Sequence, residues 1–549
     1  MMDVVGSAIT TCPGGGVNPL VLIICTHLRR DRSKAVDRDF LQPLAGVHVG
    51  SCIDHDRYEV ELYHEMWHGP FDTASILPGR YTLVFLTGLQ QDFDRMRQLS
   101  YFFRRSGATV VAGGNICTLF PDFAARFFDS VCVGGVEAVF QVMRDHEAGT
   151  LGTVYRGPRQ GAGSFPLAYH LLTKAGIDVP LHLVEASRGC RFTCTFCILP
   201  AEQNRYLSYG APSVSQAIES SVASSPRWSL RRRFPMVWFM DNNFSDNPRV
   251  LAELCRVLSG HKRVRAWGAL ITQNVLRDRD AIRMMARSKC RALFVGIESF
   301  DREFLKRTRK RQNLSKAQSV EDDVAFAERC GISVVYSQLV DPRTALPATV
   351  EADLRAIAQG GVLPLPCFIS FVSPLVGTEM FWDCVAEGDL RPGLRLREMD
   401  GETIAFNTSV VPEAELVRFA RVAFTQTWRL VPRRLVLWNV IRRMSRARCL
   451  SPFQWVVALQ CSWRVMAKSS EYSTTAGRNY LGGQERLDTQ YREYPADIGA
   501  DDLKRYFEPV LLTEADGRVA DWLLPYHPSR SRQPVPANME QPDGLPGLP

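Results

Sequence analysis

Glu185-Ala186-Ser187-Arg188-Gly189-Cys190-Arg191-Phe192-Thr193-Cys194-Thr195-Phe196-Cys197 carries three cysteines at CxxxCxxC spacing, directly after a short apolar run. Three thiolates with no evident fourth ligand make an unfinished metal site. A structural zinc or an ordinary electron-transfer cluster takes four protein ligands, so a three-legged arrangement leaves one metal corner open to a small molecule. The same residues also suit a zinc site that borrows a distant histidine, or three buried thiols, since cysteine is a common core residue and the chain has 15. Structural context separates these readings.

Downstream of the motif, strand-like and helix-like stretches alternate. Strands are expected at 183–186, 236–241, 264–272, 292–298, 332–340 and 367–371, with helical spacing between them, as in 213–224, 248–258, 278–288, 315–330 and 350–359. Six βα units are too few to close an eight-stranded barrel, so an open partial (β/α)6 barrel is expected, with its site at the C-terminal strand ends. Upstream, Leu20-Val21-Leu22-Ile23-Ile24-Cys25 is a continuous apolar run suited to a parallel strand buried on both faces. Further strands are expected at 58–63, 81–86, 108–112 and 130–133, with helices at 92–106 and 120–128, giving a doubly wound, Rossmann-like sheet. Its strand ends carry Thr87-Gly88-Leu89-Gln90-Gln91, Gly113-Gly114-Asn115-Ile116-Cys117 and Gly134-Gly135-Val136-Glu137, where glycine lets a bulky ligand approach the backbone. None of these turns has GxGxxG spacing, which argues against a dinucleotide. His64-Glu65-Met66-Trp67-His68 spells HExxH, but an alternating strand precedes it and Gly69-Pro70 follows, leaving no room for the helix a zinc protease needs.

The cysteine loop, with an aromatic residue before its third cysteine, resembles that of the radical S-adenosylmethionine (SAM) superfamily. With the glycine turns ahead of it, the chain resembles the cobalamin-dependent branch. The resemblance implies a [4Fe-4S] cluster on Cys190, Cys194 and Cys197, with SAM chelating the fourth iron beside Phe196. It implies a corrin pocket lined by Thr87, Gly88, Gln90, Gly113, Gly114, Asn115, Gly134, Gly135 and Glu137. Phe239-Met240-Asp241-Asn242-Asn243-Phe244 is similar to the branch's Asp-Asp-Asn-Phe motif, with Asn242 in place of the second aspartate, and Gly296-Ile297-Glu298-Ser299 matches its Gly-x-Glu-Ser motif. Ser373-Pro374-Leu375-Val376-Gly377-Thr378 is similar to its Thr-Pro-Leu-Pro-Gly-Thr turn. The implied SAM contacts are Asp241 and Asn242 to the ammonium, Glu298 to a ribose hydroxyl or the methionine moiety, and Gln273. Two departures stand out. No Asp-x-His-x-x-Gly is present to place a histidine on cobalt, and the fifth-strand glycine pattern is missing at Ser337-Gln338-Leu339-Val340-Asp341.

The implied activity is C-methylation of an unactivated carbon, the methyl coming from methylcobalamin and the substrate radical from SAM cleavage, in secondary-metabolite (antibiotic) biosynthesis. A cobalamin-using cyclase or rearrangement enzyme, a hopanoid-type lipid methylase and a non-catalytic cobalamin-binding scaffold are the alternatives. No catalytic acid or base is assigned. The implied partners are a small-molecule or carrier-bound substrate and a flavodoxin- or ferredoxin-type electron donor.

At 549 residues the chain exceeds one core. The expected division is a flexible N-terminus (1–17), a cobalamin-binding domain (18–148), a linker (149–182), the partial barrel (183–385), a mainly helical substrate-covering domain (386–525) and a disordered tail (526–549). No secretory signal or apolar run of membrane-spanning length is evident, and the odd cysteine count suits a reducing cytoplasm. The net charge of +8 is concentrated at Arg231-Arg232-Arg233 and from Arg429 to Arg448, but no nucleic-acid module accompanies it. The basic, tryptophan-bearing helices expected at 411–429 and 433–446 leave room for a peripheral membrane contact.

Overall fold

A computed structural model of the protein describes residues 18–27, 44–157, 167–177, 181–244, 247–314, 319–408, 411–425, 431–448, 451–467 and 494–528. The expected N-terminus, 1–17, lies outside them, as does the expected tail from 529 onward.

Among the described residues, two parallel six-stranded sheets organise the fold. The first contains β1 (Leu20–Cys25), β2 (Glu59–His64), β3 (Leu83–Gly88), β4 (Thr109–Gly114), β5 (Ser130–Gly134) and β6 (Val154–Gly157) in the order β2-β1-β3-β4-β5-β6. The apolar run of β1 is buried because helices cover both faces, while β2 at the edge alternates exposed and buried positions. The chain leaves β1 in one direction to β2 and returns on the other side to β3, so the crevice at the switch point opens where Thr87 and Gly88 end β3.

β6 falls within the segment expected to be a linker. Four residues closed by Gly157 are too few to show a periodicity, yet β6 pairs with β5 from Val131↔Val154 to Gly134↔Gly157. Of the helix expected over 120–128 only Pro121–Ala124 forms, separate from the turn Asn115–Leu119 ahead of it, because Pro121 cannot continue that turn. The HExxH stretch forms a single turn, Glu65–His68. Its residues face different partners: His68 Nδ1 accepts from His64 N at 3.0 Å, its Nε2 lies 2.8 Å from Ala175 O, and the buried Glu65 pairs with Arg95 at 2.8 Å.

The second sheet begins with β7 (His182–Val184). After the antiparallel pair β8 (Ser187–Arg188) and β9 (Leu207–Ser208), it continues through β10 (Met236–Phe239), β11 (Ala266–Thr272), β12 (Cys290–Glu298), β13 (Ser333–Val340) and β14 (Phe368–Phe371). Its order, β14-β13-β12-β11-β10-β7, is sequential and open at both ends, a half barrel.

Buried polar contacts tie the sheets and the C-terminal segment together. The Gln90 side chain donates to Val376 O at 2.9 Å and accepts from Val376 N at 3.0 Å. Asp94, on the helix Phe93–Arg105, accepts from Arg97, from Arg397 Nε at 2.6 Å and from Val510 N at 3.2 Å. Phe123 stacks on Trp522 with centroids 4.0 Å apart. Part of the segment expected to cover the barrel mouth, including Phe406, Phe507 and Leu512, thus packs in one core with the first sheet. Tyr526, where the tail was expected to begin, is ordered against this core, its hydroxyl accepting from Phe123 N at 3.2 Å.

Candidate functional site

The cysteine loop lies between β8 and β9 at the mouth of the half barrel. Gly189 has φ +75°, and a Cβ there would strike the Arg205 carbonyl, so the loop entry needs glycine. Thr195 N donates to Thr308 O at 3.1 Å and Met380 N to Thr195 O at 3.1 Å, anchoring the loop to chain segments beyond β12 and β14. Cys194 is buried, and Cys190 and Cys197 are half-buried. Burial pushes the Cys197 thiol up to about 11, with Cys194 and Cys190 close enough to add to the effect. Among the described residues no three histidine, cysteine or acidic side chains converge on the position of a single ion.

Two amides point at this loop. Asn243 Nδ2 lies 3.7 Å from Cys190 Sγ, and Gln312 Nε2 lies 3.5 Å from the buried Cys194 Sγ. Lys310, buried, pairs with Glu298 at 2.6 Å and sits 5.7 Å over the Phe196 ring. Glu298 takes a left-handed φ of +63°, and Asn313 Nδ2 bonds the carbonyls of Gly296 and Ile297 at 2.9 and 2.6 Å, holding the irregular end of β12. A donor set of three thiols on one loop, with amide N–H groups directed at two of them, suits an iron–sulfur cluster.

Asp241 and Asn242, expected as SAM contacts, lie just after β10, beside the cysteine loop entry. Asp241 is buried, its oxygens accepting from Ala186 N at 3.0 Å and from the Ser187 hydroxyl. Burial raises its carboxyl to about 7 against those two hydrogen bonds. Asn242 Oδ1 accepts from Gly189 N at 2.9 Å. Both side chains therefore brace the strand exit and the loop entry. Gln273 is buried at the start of the short helix after β11.

At the first sheet's strand ends, a Cβ on Gly114 (φ +123°) would strike the Gly88 carbonyl, whereas one on Gly113 would make only an ordinary contact with Cys132 Cβ at 3.9 Å. Gly134 has φ +80°, and Gly135 is buried under Gly157. Gln90 is spent on Val376, and Asn115 Nδ2 reaches Glu202 Oε1 at 2.6 Å, so both link the first sheet to the half barrel. Glu137 is buried, and neither of its carboxylate oxygens has a hydrogen-bond partner among the described residues; burial raises its pKa. An acceptor so placed suits a ligand rich in amide N–H donors, as the rim of a corrin is.

A neighbouring cluster was not singled out from sequence. Glu185 Oε2 lies 2.9 Å from Arg188 Nε, 3.3 Å from the Tyr209 hydroxyl and 3.4 Å from His48 Nε2. Burial lowers His48 to about 4 against the pull of Glu185, so it stays neutral near pH 7. The Glu185-x-x-Arg188 spacing was its one visible trace.

A parallel sheet of flavodoxin-like order joined to a half barrel with a three-cysteine mouth is similar in fold to solved cobalamin-dependent radical SAM enzymes. The solved structure of one of them, OxsB with aqua-cobalamin and S-adenosylmethionine bound, aligns over 81% of this chain and 75% of that one, with a TM-score of 0.56 at 12% identity. In sequence, the chain is 21% identical over 361 residues to the bacteriochlorophyllide d C-8(2)-methyltransferase of Chlorobaculum tepidum, covering 62% of this chain and 76% of that protein. It is 25% identical over 316 residues to the C-12(1)-methyltransferase of the same organism, covering 55% of this chain and just under two thirds, 65%, of that protein. No family model matches the chain.

Proposed function

We propose that this protein is a cobalamin-dependent radical SAM C-methyltransferase, transferring a methyl group to an unactivated carbon of a small-molecule substrate. The observation that carries the reading is the loop of Cys190, Cys194 and Cys197, with Asn243 and Gln312 directed at two of its thiols. With a [4Fe-4S] cluster and SAM bound, the site would gain one-electron chemistry, and cobalamin would supply the methyl.

The chain's own residues position and seal. Cys190, Cys194 and Cys197 hold the cluster while Gly189 and Asn242 fix the loop entry. Phe196, stacked over Phe304 at 6.5 Å, and the Lys310–Glu298 pair close the mouth between loop and β12. Gly113, Gly114, Gly134 and Glu137 form the corrin face of the first sheet. The two relatives are named as methyltransferases acting on bacteriochlorophyllide d, which supports a ring-bearing metabolite as substrate class. Antibiotic-type heterocycles belong to that class. A cytoplasmic setting with a flavodoxin- or ferredoxin-type donor completes the proposal; no described helix is long and apolar enough to cross a membrane.

Anaerobic reconstitution with iron, sulfide and hydroxocobalamin tests it, comparing wild type with the Cys190/Cys194/Cys197→Ala triple variant. The expected result is a broad cluster absorption in wild type that the variant lacks, a corrin spectrum in both, and a product one methyl group heavier. Corrin retention without any cluster in wild type would remove the radical mechanism. A product of unchanged mass would mark rearrangement in place of methylation.

A further inference from the structure

The turn before β10 is folded inside out. In Arg227-Trp228-Ser229-Leu230-Arg231-Arg232-Arg233-Phe234, Trp228 is 77% exposed, Leu230 72% and Phe234 58%, while the charged Arg231 is buried. Arg231 Nε donates to Ser225 Oγ at 2.9 Å and its carbonyl lies 3.1 Å from His182 Nε2. Ser229 caps the short helix by accepting from Arg232 N, and Arg232 Nη1 reaches back to the carbonyls of Ala223 and Ser225 at 3.0 and 2.9 Å. Inward polar bonds thus fix a turn that presents three large apolar side chains to the outside, an arrangement that water disfavours and a less polar medium stabilises.

Exposed cations surround these tips. Arg227 and Arg233 belong to the same turn, and Lys262, Arg263 and Arg265 lie in the adjoining turn before β11, which is tied to the first by Arg265 N donating to Pro235 O at 2.9 Å. No acidic residue occurs from 225 to 240 or from 260 to 267; Glu219 reaches in to pair with Arg263 at 3.3 Å. β10 runs parallel to β7, whose far end leads into the cysteine loop, so this patch sits at the opposite end of the half barrel from the mouth.

We infer that this edge is a docking surface for an anionic lipid bilayer, with Trp228, Leu230 and Phe234 entering the interfacial region and the surrounding arginines and lysine engaging headgroup phosphates. The charge selects a negatively charged partner, and the apolar tips select one with an interior to enter. The location leaves the barrel mouth free for its electron donor and substrate.

Co-sedimentation of the full chain with vesicles of phosphatidylcholine alone, and of phosphatidylcholine mixed equally with phosphatidylglycerol, tests this. Wild type is expected to pellet with the anionic vesicles and be released by high salt. The Trp228→Ser/Leu230→Ser/Phe234→Ser variant is expected to stay in the supernatant with an unchanged thermal melt, and Arg227→Gln/Arg233→Gln to bind about fivefold more weakly per charge removed. Wild type remaining in the supernatant, or the triple serine variant pelleting as well as wild type, would overturn the inference. So would sedimentation velocity showing a wild-type dimer that the triple variant loses, since the patch would then join two copies of the chain.

Discussion

Replacing Gln90 with leucine separates two roles for that side chain, corrin contact and a brace between the sheets. Its amide satisfies both the N–H and the C=O of Val376 at 3.0 and 2.9 Å, and Val376 is fully buried. Leucine fills similar space and leaves both backbone groups unpaired. Each such group costs about 1–3 kcal/mol, so the variant should lose roughly 2–6 kcal/mol, a large share of a domain's stability. Urea unfolding followed by far-ultraviolet circular dichroism reads this as a lowered midpoint, while the corrin spectrum after reconstitution below that midpoint should match wild type. An unchanged midpoint together with lost cobalamin would refute the reasoning and return Gln90 to the corrin pocket.

Asp241 gives a pH-dependent expectation. Its carboxyl moves from 3.8 to about 7 on folding, so the native state holds the proton more tightly than the unfolded chain. Its contribution is therefore full below about pH 4 and is lost as pH rises through 7. The unfolding free energy of Asp241→Asn, from urea titrations, should gain on wild type between pH 5 and pH 8 by roughly a few kcal/mol, and a constant difference would contradict the burial argument. Gln312→Leu removes an N–H donor from Cys194 Sγ and should shift the cluster's midpoint potential to more negative values, by about 59 mV for each tenfold change in the one-electron equilibrium. An electron-paramagnetic-resonance redox titration giving equal midpoints would show that the amide does not tune the cluster.

The pattern of burial wrote the strands into the sequence. Leu20–Cys25 and the six half-barrel strands are runs whose apolar character alone sets their state, and three cysteines in one loop are legible as a ligand set. Val154–Gly157 escaped because a four-residue edge strand is defined by its neighbour β5 and not by its own pattern. The amides escaped for a different reason. Gln90, Asn115 and Gln312 find partners 286, 87 and 118 residues away, and nothing local distinguishes an amide that faces a ligand from one that bridges two sheets. Asp241 occupies the motif position expected of a SAM contact, and its hydrogen bonds from Ala186 and Ser187, which depend on the β7–β10 register, were not legible in the local sequence.

The charged seam around Asp94 also sets a schedule for synthesis. Its helix emerges from the ribosome early and brings Arg97 with it, yet the other partners of Asp94, Arg397 and the backbone N–H of Val510, are translated much later; Val510 is 416 residues further on. At about 5–20 residues per second that interval is roughly 20–80 s. Throughout it, the aromatic side of the first sheet that later packs on Trp522 and Phe507 has no cover. Expression yield should therefore depend on chaperone supply and on an intact C-terminal segment more than on any single residue of the first sheet.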